Sequence, residues 1–170
     1  MKRIALITLA LVSFTFLFGQ NTVRKDYRPD NFSSINASFI YDIEVFKGKT
    51  HTVKLEVPQD LANDIQVNVS DNTLYLGVSR EWWRTAKHVL GDRQKIKARI
   101  TMPDLEGFHL SNAAFLVTRD KFSPSNFIVK MTGASQAEVT IMTHAANLDI
   151  NGASELEISG LATKTKAYVS

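Results

Sequence analysis

The chain of 170 residues contains no cysteine. Disulfides, thiolate metal ligands, a cysteine nucleophile and a lipid-modified cysteine are all excluded. The lack is compatible with an oxidising compartment without proving one. Catalytic patterns are missing as well. There is no Gly-x-Ser-x-Gly elbow, and the aspartate-rich glycine repeat that binds calcium in some solenoids is absent. His51, His88, His109 and His144 show no i, i+4 pairing, so a zinc site lacks its usual spacing. His109 and His144 occupy polar phases of their segments and read as surface residues. No cofactor is implied, and no enzyme. No segment carries a sustained helical period, and no Pro/Ser-rich linker or charge block divides the chain.

Long apolar runs are confined to the start. Lys2 and Arg3 precede Ile4 to Phe18, an apolar or hydroxyl run of 15 residues. That is short of the roughly 20 residues of a membrane span and suits a secretory signal. Residues 1–20 are therefore expected to be a signal peptide, with the mature chain starting near Gly19 to Thr22. Leu17 and Phe18 make a poor cleavage site, and an uncleaved anchor helix is the alternative. Loss of Lys2 and Arg3 lowers the basic count from 20 to 18 against 17 acidic residues, a mature charge of +1. A balance this even gives no support to nucleic-acid binding. The 150 residues 21–170 suit one exported domain.

What is present is a repeat. Phe108-His-Leu110-Ser-Asn112-Ala-Ala114, Val129-Lys-Met131-Thr-Gly133-Ala-Ser135 and Leu148-Asp-Ile150-Asn-Gly152-Ala-Ser154 share one pattern. Apolar and polar residues alternate, then Gly or Asn supplies the positive φ of a sharp bend. Positions 112, 133 and 152 are 21 and then 19 residues apart. Such a period is the mark of a solenoid. Phe108, Val129 and Leu148 are expected to stack in parallel, and Leu110, Met131 and Ile150 likewise. The expected fold class is all-β: a right-handed parallel β-helix (solenoid) with an irregular β-rich N-terminal section. An antiparallel meander is the competing account. After each bend a second strand follows, although whether Phe115 or Leu116 points inward stays open.

Upstream, Phe39 to Phe46 and Thr52 to Val57 flank Lys47-Gly48-Lys49 as a hairpin signal, and Ile65 to Val69 and Leu74 to Val78 form a second around Ser70 to Thr73. Residues 21–31 read as a polar, loosely ordered lead-in. Asp60 to Asp64 suits one helical turn. Lys95 to Met102 reads as a strand with Ile96, Ala98, Ile100 and Met102 on one face. The final Ala167-Tyr168-Val169-Ser170 matches the opening of another repeat. The chain is thus expected to be C-terminally truncated, leaving a strand edge prone to self-association.

Phe32-x-x-Ile35, Leu74-Tyr75-Leu76, Ile100-Thr101-Met102-Pro103-Asp104-Leu105 and the steps Thr132 to Ser135 and Asn151 to Ser154 together resemble the auto-transporter adhesin "head GIN" domain family of secreted bacterial proteins. The resemblance covers essentially the whole mature chain. It implies a right-handed β-helix starting in an irregular β-rich section, and it carries no established activity, cofactor or catalytic residue. The first repeat departs from the pattern, with Asn112-Ala113-Ala114 in place of Gly-Ala-Ser; Asn still tolerates the left-handed conformation.

Two groups of residues bear on function. Glu138, Asp149, Glu155 and Glu157 occupy alternate polar positions. Carboxylate pairs held about 5 to 9.5 Å apart would suit polysaccharide cleavage, but such alternation is ordinarily a solvated face. Ser79 to Arg99 is the more distinctive stretch. It holds Trp82 and Trp83 and seven basic residues against Glu81 and Asp92. Arg80, Trp82, Trp83, Arg84 and Lys87 form the candidate binding loop. One indole suits capping the apolar interior, the other stacking on a sugar or partner beside arginines that attract anionic groups. The reading is an exported cell-envelope or extracellular domain, periplasmic or on the outer surface, with a non-catalytic structural or adhesion-like role. Its partner would be an envelope glycan or protein. The alternatives are a polysaccharide-binding module built on the Trp82-Trp83 loop and, less favoured, a polysaccharide-active enzyme.

Overall fold

Alternation of period two, repeated along most of the chain, builds strands that each bury one face. The computed structural model describes residues 22–81 and 95–170. Its strands are β1 (Thr22–Tyr27), β2 (Ser34–Phe39), β3 (Tyr41–Lys47), β4 (Thr52–Pro58), β5 (Ile65–Ser70), β6 (Thr73–Val78), β7 (Ile96–Met102), β8 (Gly107–Asn112), β9 (Phe115–Thr118), β10 (Asn126–Met131), β11 (Gln136–Ile150) and β12 (Glu155–Val169). A 3-10 turn, Gln59–Leu61, follows β4, where a single helical turn is expected. Residues 1–20, the expected signal peptide, lie outside the described residues.

The strands form one curled, half-barrel sheet in the order β1-β4-β7-β3-β9-β11-β10-β8-β2-β6-β5, with β12 on β11. Its long strand β11 pairs with β9 through Gln136 to Glu138 and with β10 through Ala145 to Ile150, so it joins two limbs around a shared interior. The repeat stacks as its spacing requires. Phe108 pairs in parallel with Val129, and Val129 with Leu148; Leu110, Met131 and Ile150 follow the same register. At the position left open, Leu116 is fully buried and stacks on Ala137.

The solenoid expectation is nevertheless corrected, because the strand order is mixed. β1 runs antiparallel to β4, β4 to β7, and β5 to β6. The two-residue turn Asp71-Asn72, with φ of +48° and +59°, reverses the chain at once, so β5 cannot join a parallel stack. This second hairpin is as the sequence signals. The first is not: β7 lies between β3 and β4, parallel to one and antiparallel to the other. The connection after Lys47 is long enough to cross one intervening strand, a gap of about 10 Å. The lead-in is also more ordered than its polarity suggests, since β1 pairs along its whole length with Val53 to Pro58 of β4.

Inside the curl lies one apolar cluster, with Tyr41, Phe32, Phe122 and Phe127 its largest fully buried side chains. Ile96, Ala98, Ile100 and Met102 all point into it, as their alternation predicts. Each such burial of a large apolar side chain stabilises by about 1.5–3 kcal/mol. Tyr41 carries the one polar tip among these four. Its hydroxyl donates to the Gly77 carbonyl at 3.0 Å, and burial pushes its pKa upward, so the phenol stays neutral.

Candidate functional site

The bends of the repeat set one corner of the molecule. Asn112, Gly133 and Gly152 adopt φ of +67°, +82° and +78°. Each bend is tied to the one before it, by Ala134 N–H to the Asn112 carbonyl at 2.6 Å and Ala153 N–H to the Gly133 carbonyl at 2.8 Å. Ser135 and Ser154 donate to the carbonyls three residues back, at 2.8 and 3.1 Å, so these hydroxyls hold turns rather than perform chemistry. Phe39 joins the same column, in register with Asn112 and with φ of +97°.

Corner lengths expose an exception. Register maps Ala37 onto Leu110 and then Met131 and Ile150, and Ile43 onto Leu116, Ala137 and Leu156. Four chain segments therefore turn this corner in six positions. Leu76 and Ala98 sit in the same two registers, yet 22 positions separate them. The candidate binding loop falls inside that difference of 16 residues. Its ends are fixed. Ser79 bonds Asp64 twice, N–H to the carbonyl at 2.8 Å and hydroxyl to the carboxylate at 2.7 Å, and Ile96 N–H donates to the Ile40 carbonyl at 3.1 Å. Arg80 is exposed beside the first anchor. Trp82, Trp83, Arg84 and Lys87 lie outside the described residues.

The limb containing β1, β4, β7, β3 and β9 presents a charged outer face with a groove of about 610 Å³. Glu44 is its hub, held by Arg119 at 2.6 Å and Arg99 at 3.1 Å; these hydrogen bonds lower its pKa. Arg24 pairs with Glu56 at 3.1 Å. All three pairs are solvent-exposed and contribute little stability each. Two of the basic residues counted in Ser79 to Arg99 belong here: Arg99 serves Glu44, and Lys97 sits in register between Asp42 and Glu56.

The opposite limb carries a polar groove of about 690 Å³ on β6, β2, β8 and β10. Across it, outward side chains stand in one row: Tyr75, Asn36, His109 and Lys130. Asn36 Nδ2 lies 3.5 Å from His109 Nδ1. An amide NH₂ can only donate, so Nδ1 accepts and the proton of the ring sits on Nε2. Burial, reinforced by the nearby Lys130 charge, lowers the His109 pKa, while Asp149 opposes the shift. Sequence reasoning missed this groove. Its one available signal was the recurrence of polar residues at a shared register position.

The acidic residues do not assemble a reaction centre. Glu138 and Glu157 are exposed register neighbours, Glu155 takes a 3.5 Å hydrogen bond from Gln136, and Asp149 lies on the other limb, bonded to Asn151. Among the described residues no three His, Cys, Asp or Glu side chains converge as a metal site. His51 contacts the Phe32 carbonyl at 2.9 Å and packs its ring against Phe32, and His144 is exposed. His88 lies outside the described residues. No described helix is long and apolar enough to cross a membrane.

A family model described as "Putative auto-transporter adhesin, head GIN domain" matches residues 31–170. Solved structures share the fold. The chain is 19% identical to a putative adhesin from Bacteroides fragilis, with a TM-score of 0.73, covering 89% of this chain and 70% of that one. A putative lipid binding protein from Parabacteroides distasonis is 11% identical with a TM-score of 0.73, covering 88% of this chain and 63% of its own, less than two thirds. A putative adhesin from Parabacteroides merdae is 12% identical with a TM-score of 0.59, covering 87% of this chain and 77% of its own. No curated protein matches the chain.

Proposed function

Because the chain belongs to the auto-transporter adhesin head GIN domain family, as an exported, non-catalytic, adhesin-like β domain, we propose that its recognition element is the corner insertion bearing Arg80, Trp82, Trp83, Arg84 and Lys87. The observation that carries this reading is the corner length. Other segments turn the same corner in six positions, so the 16 additional residues are not needed to complete the bend. Long connections inside a compact domain are generally functional.

The insertion's own composition names the partner class. From Arg80 to Lys95 it holds Arg80, Arg84, Lys87, Arg93 and Lys95 against Glu81 and Asp92, a net charge of +3. Paired tryptophans beside arginines suit an acidic polysaccharide, with rings for sugar faces and guanidinium groups for carboxylates or sulfates. The test replaces the insertion by a short Gly/Ser turn that restores the six-position corner. Binding of alginate and of heparin is then measured beside the melting temperature, together with the double variant Trp82→Ala, Trp83→Ala. The shortened chain is expected to melt as the parent does and to lose binding. If it fails to fold, the indoles serve the interior as a cap; if it folds and binds as before, the insertion is not the recognition element.

A further inference from the structure

We propose that the polar groove on β6, β2, β8 and β10 is a second binding site, for a neutral saccharide. It lies at the starts of strands whose ends form the corner, and it does not depend on the reading given for the insertion.

The depression is fixed by the backbone. Gly107 occupies the outward row between Ser34 and Ile128, and a Cβ there would lie 2.2 Å from the Ile128 carbonyl oxygen. No larger residue fits, so the surface must dip at this point. Ser34 and Thr73 face each other on one side of the dip, with Asn36 and His109 one step along the strands. These side chains offer paired donors and acceptors without charge. His109 conforms to the same pattern, since its acceptor Nδ1 is used by Asn36 and a neutral ring presents an N–H at Nε2.

Apolar surface accompanies the polar groups. Tyr75 is 39% exposed beside Asn36, and Ile128 is 59% exposed beside Gly107. A partly exposed ring flanked by amides and hydroxyls matches a pyranose, whose C–H face packs on the ring while its hydroxyls bond at the edge. Charge argues against the other ligand classes. Asp104 and Glu106 outnumber Lys130 in the lining, which disfavours an anion, and Glu106 is already engaged by the Ser33 hydroxyl at 2.6 Å. An extended peptide would dock on a strand edge, whereas this groove runs over the face of four hydrogen-bonded strands.

The experiment titrates the isotope-labelled full chain with maltohexaose, cellohexaose, chitohexaose and mannohexaose and follows the backbone amides. At least one is expected to shift the amides of Ser34 to Asn36, Thr73 to Tyr75 and Gly107 to His109. Tyr75→Ser should then weaken that ligand by roughly fivefold to tenfold. Asn36→Ala should weaken it too, while the corner-shortened chain should bind it unchanged. Should Tyr75→Ser fail to fold, the shift map on the native chain decides alone. The proposal is overturned if none of the four shifts these amides, if the shifts fall at the corner, or if folded Tyr75→Ser and Asn36→Ala both bind like the parent.

Discussion

Gly152 stands directly over Gly133: the carbonyl oxygen of Gly133 lies 2.8 Å from where a Cβ on Gly152 would be, and it accepts the N–H of Ala153 at 2.8 Å. The same relation holds one rung back, where a Cβ on Gly133 would lie 2.8 Å from the Asn112 oxygen. Glycine is thus required twice over, by the left-handed φ and by the backbone beneath it. Asn112, whose neighbour in the column is Phe39, meets only the first demand.

Gly133→Ala is therefore expected to destabilise the fold by about 1–3 kcal/mol, the cost of holding a side chain in this conformation against the neighbouring carbonyl. Asn112→Gly should change stability by less than about 1 kcal/mol, since relief of the left-handed strain offsets the added freedom of the unfolded chain. Urea unfolding of both variants checks the pair. Equal losses would show that the column does not govern the bend.

His109 gives the fold a dependence on acidity. Its pKa is lowered below the ordinary 6.5, chiefly by burial. The folded state thus binds this proton less readily than the unfolded state does. Its contribution is complete above the unfolded value and declines as pH falls below 6.5 towards the lowered folded value. A protonated Nδ1 would also oppose the Asn36 amide, donor against donor. Urea midpoints measured from about pH 7.5 to about pH 5 should fall less steeply in His109→Gln than in the parent. Parallel profiles would remove His109 from the account.

A fragment of residues 21–170 should self-associate through the outer edge of β12. All of its pairing runs to β11, and among the described residues no strand covers its other side. Leu161 is 69% and Val169 76% exposed along it. An open edge of 15 residues with apolar side chains is a template for another strand. Sedimentation velocity of residues 21–170 is expected to show concentration-dependent dimers, reduced by Leu161→Lys with Val169→Lys. A monomer at every concentration would refute the expectation.

The sequence alone determined the repeat and its chemistry. Alternation named the buried faces of β7, β8, β10 and the first half of β11. Asn112, Gly133 and Gly152 announced the bends, because few residues accept that φ. Asp71 and Asn72 announced the β5–β6 turn for the same reason. These are local demands, met within a few residues, so local composition records them. The Trp-basic stretch was also legible, but its position at a corner that others turn in six positions was not, since that comparison needs register.

Tertiary structure decided which strands meet. Period-two alternation says which face is buried and nothing about the neighbour in the ladder. Insertion of β7 between β3 and β4 and the pairing of β1 with β4 therefore left no local mark. Phe39 at φ +97° shows the same limit, since its place in the column holds a bulky residue where glycine would be expected. The groove is the clearest case. Tyr75, Asn36 and His109 are far apart in the chain and become neighbours only because three parallel strands bring one register position side by side.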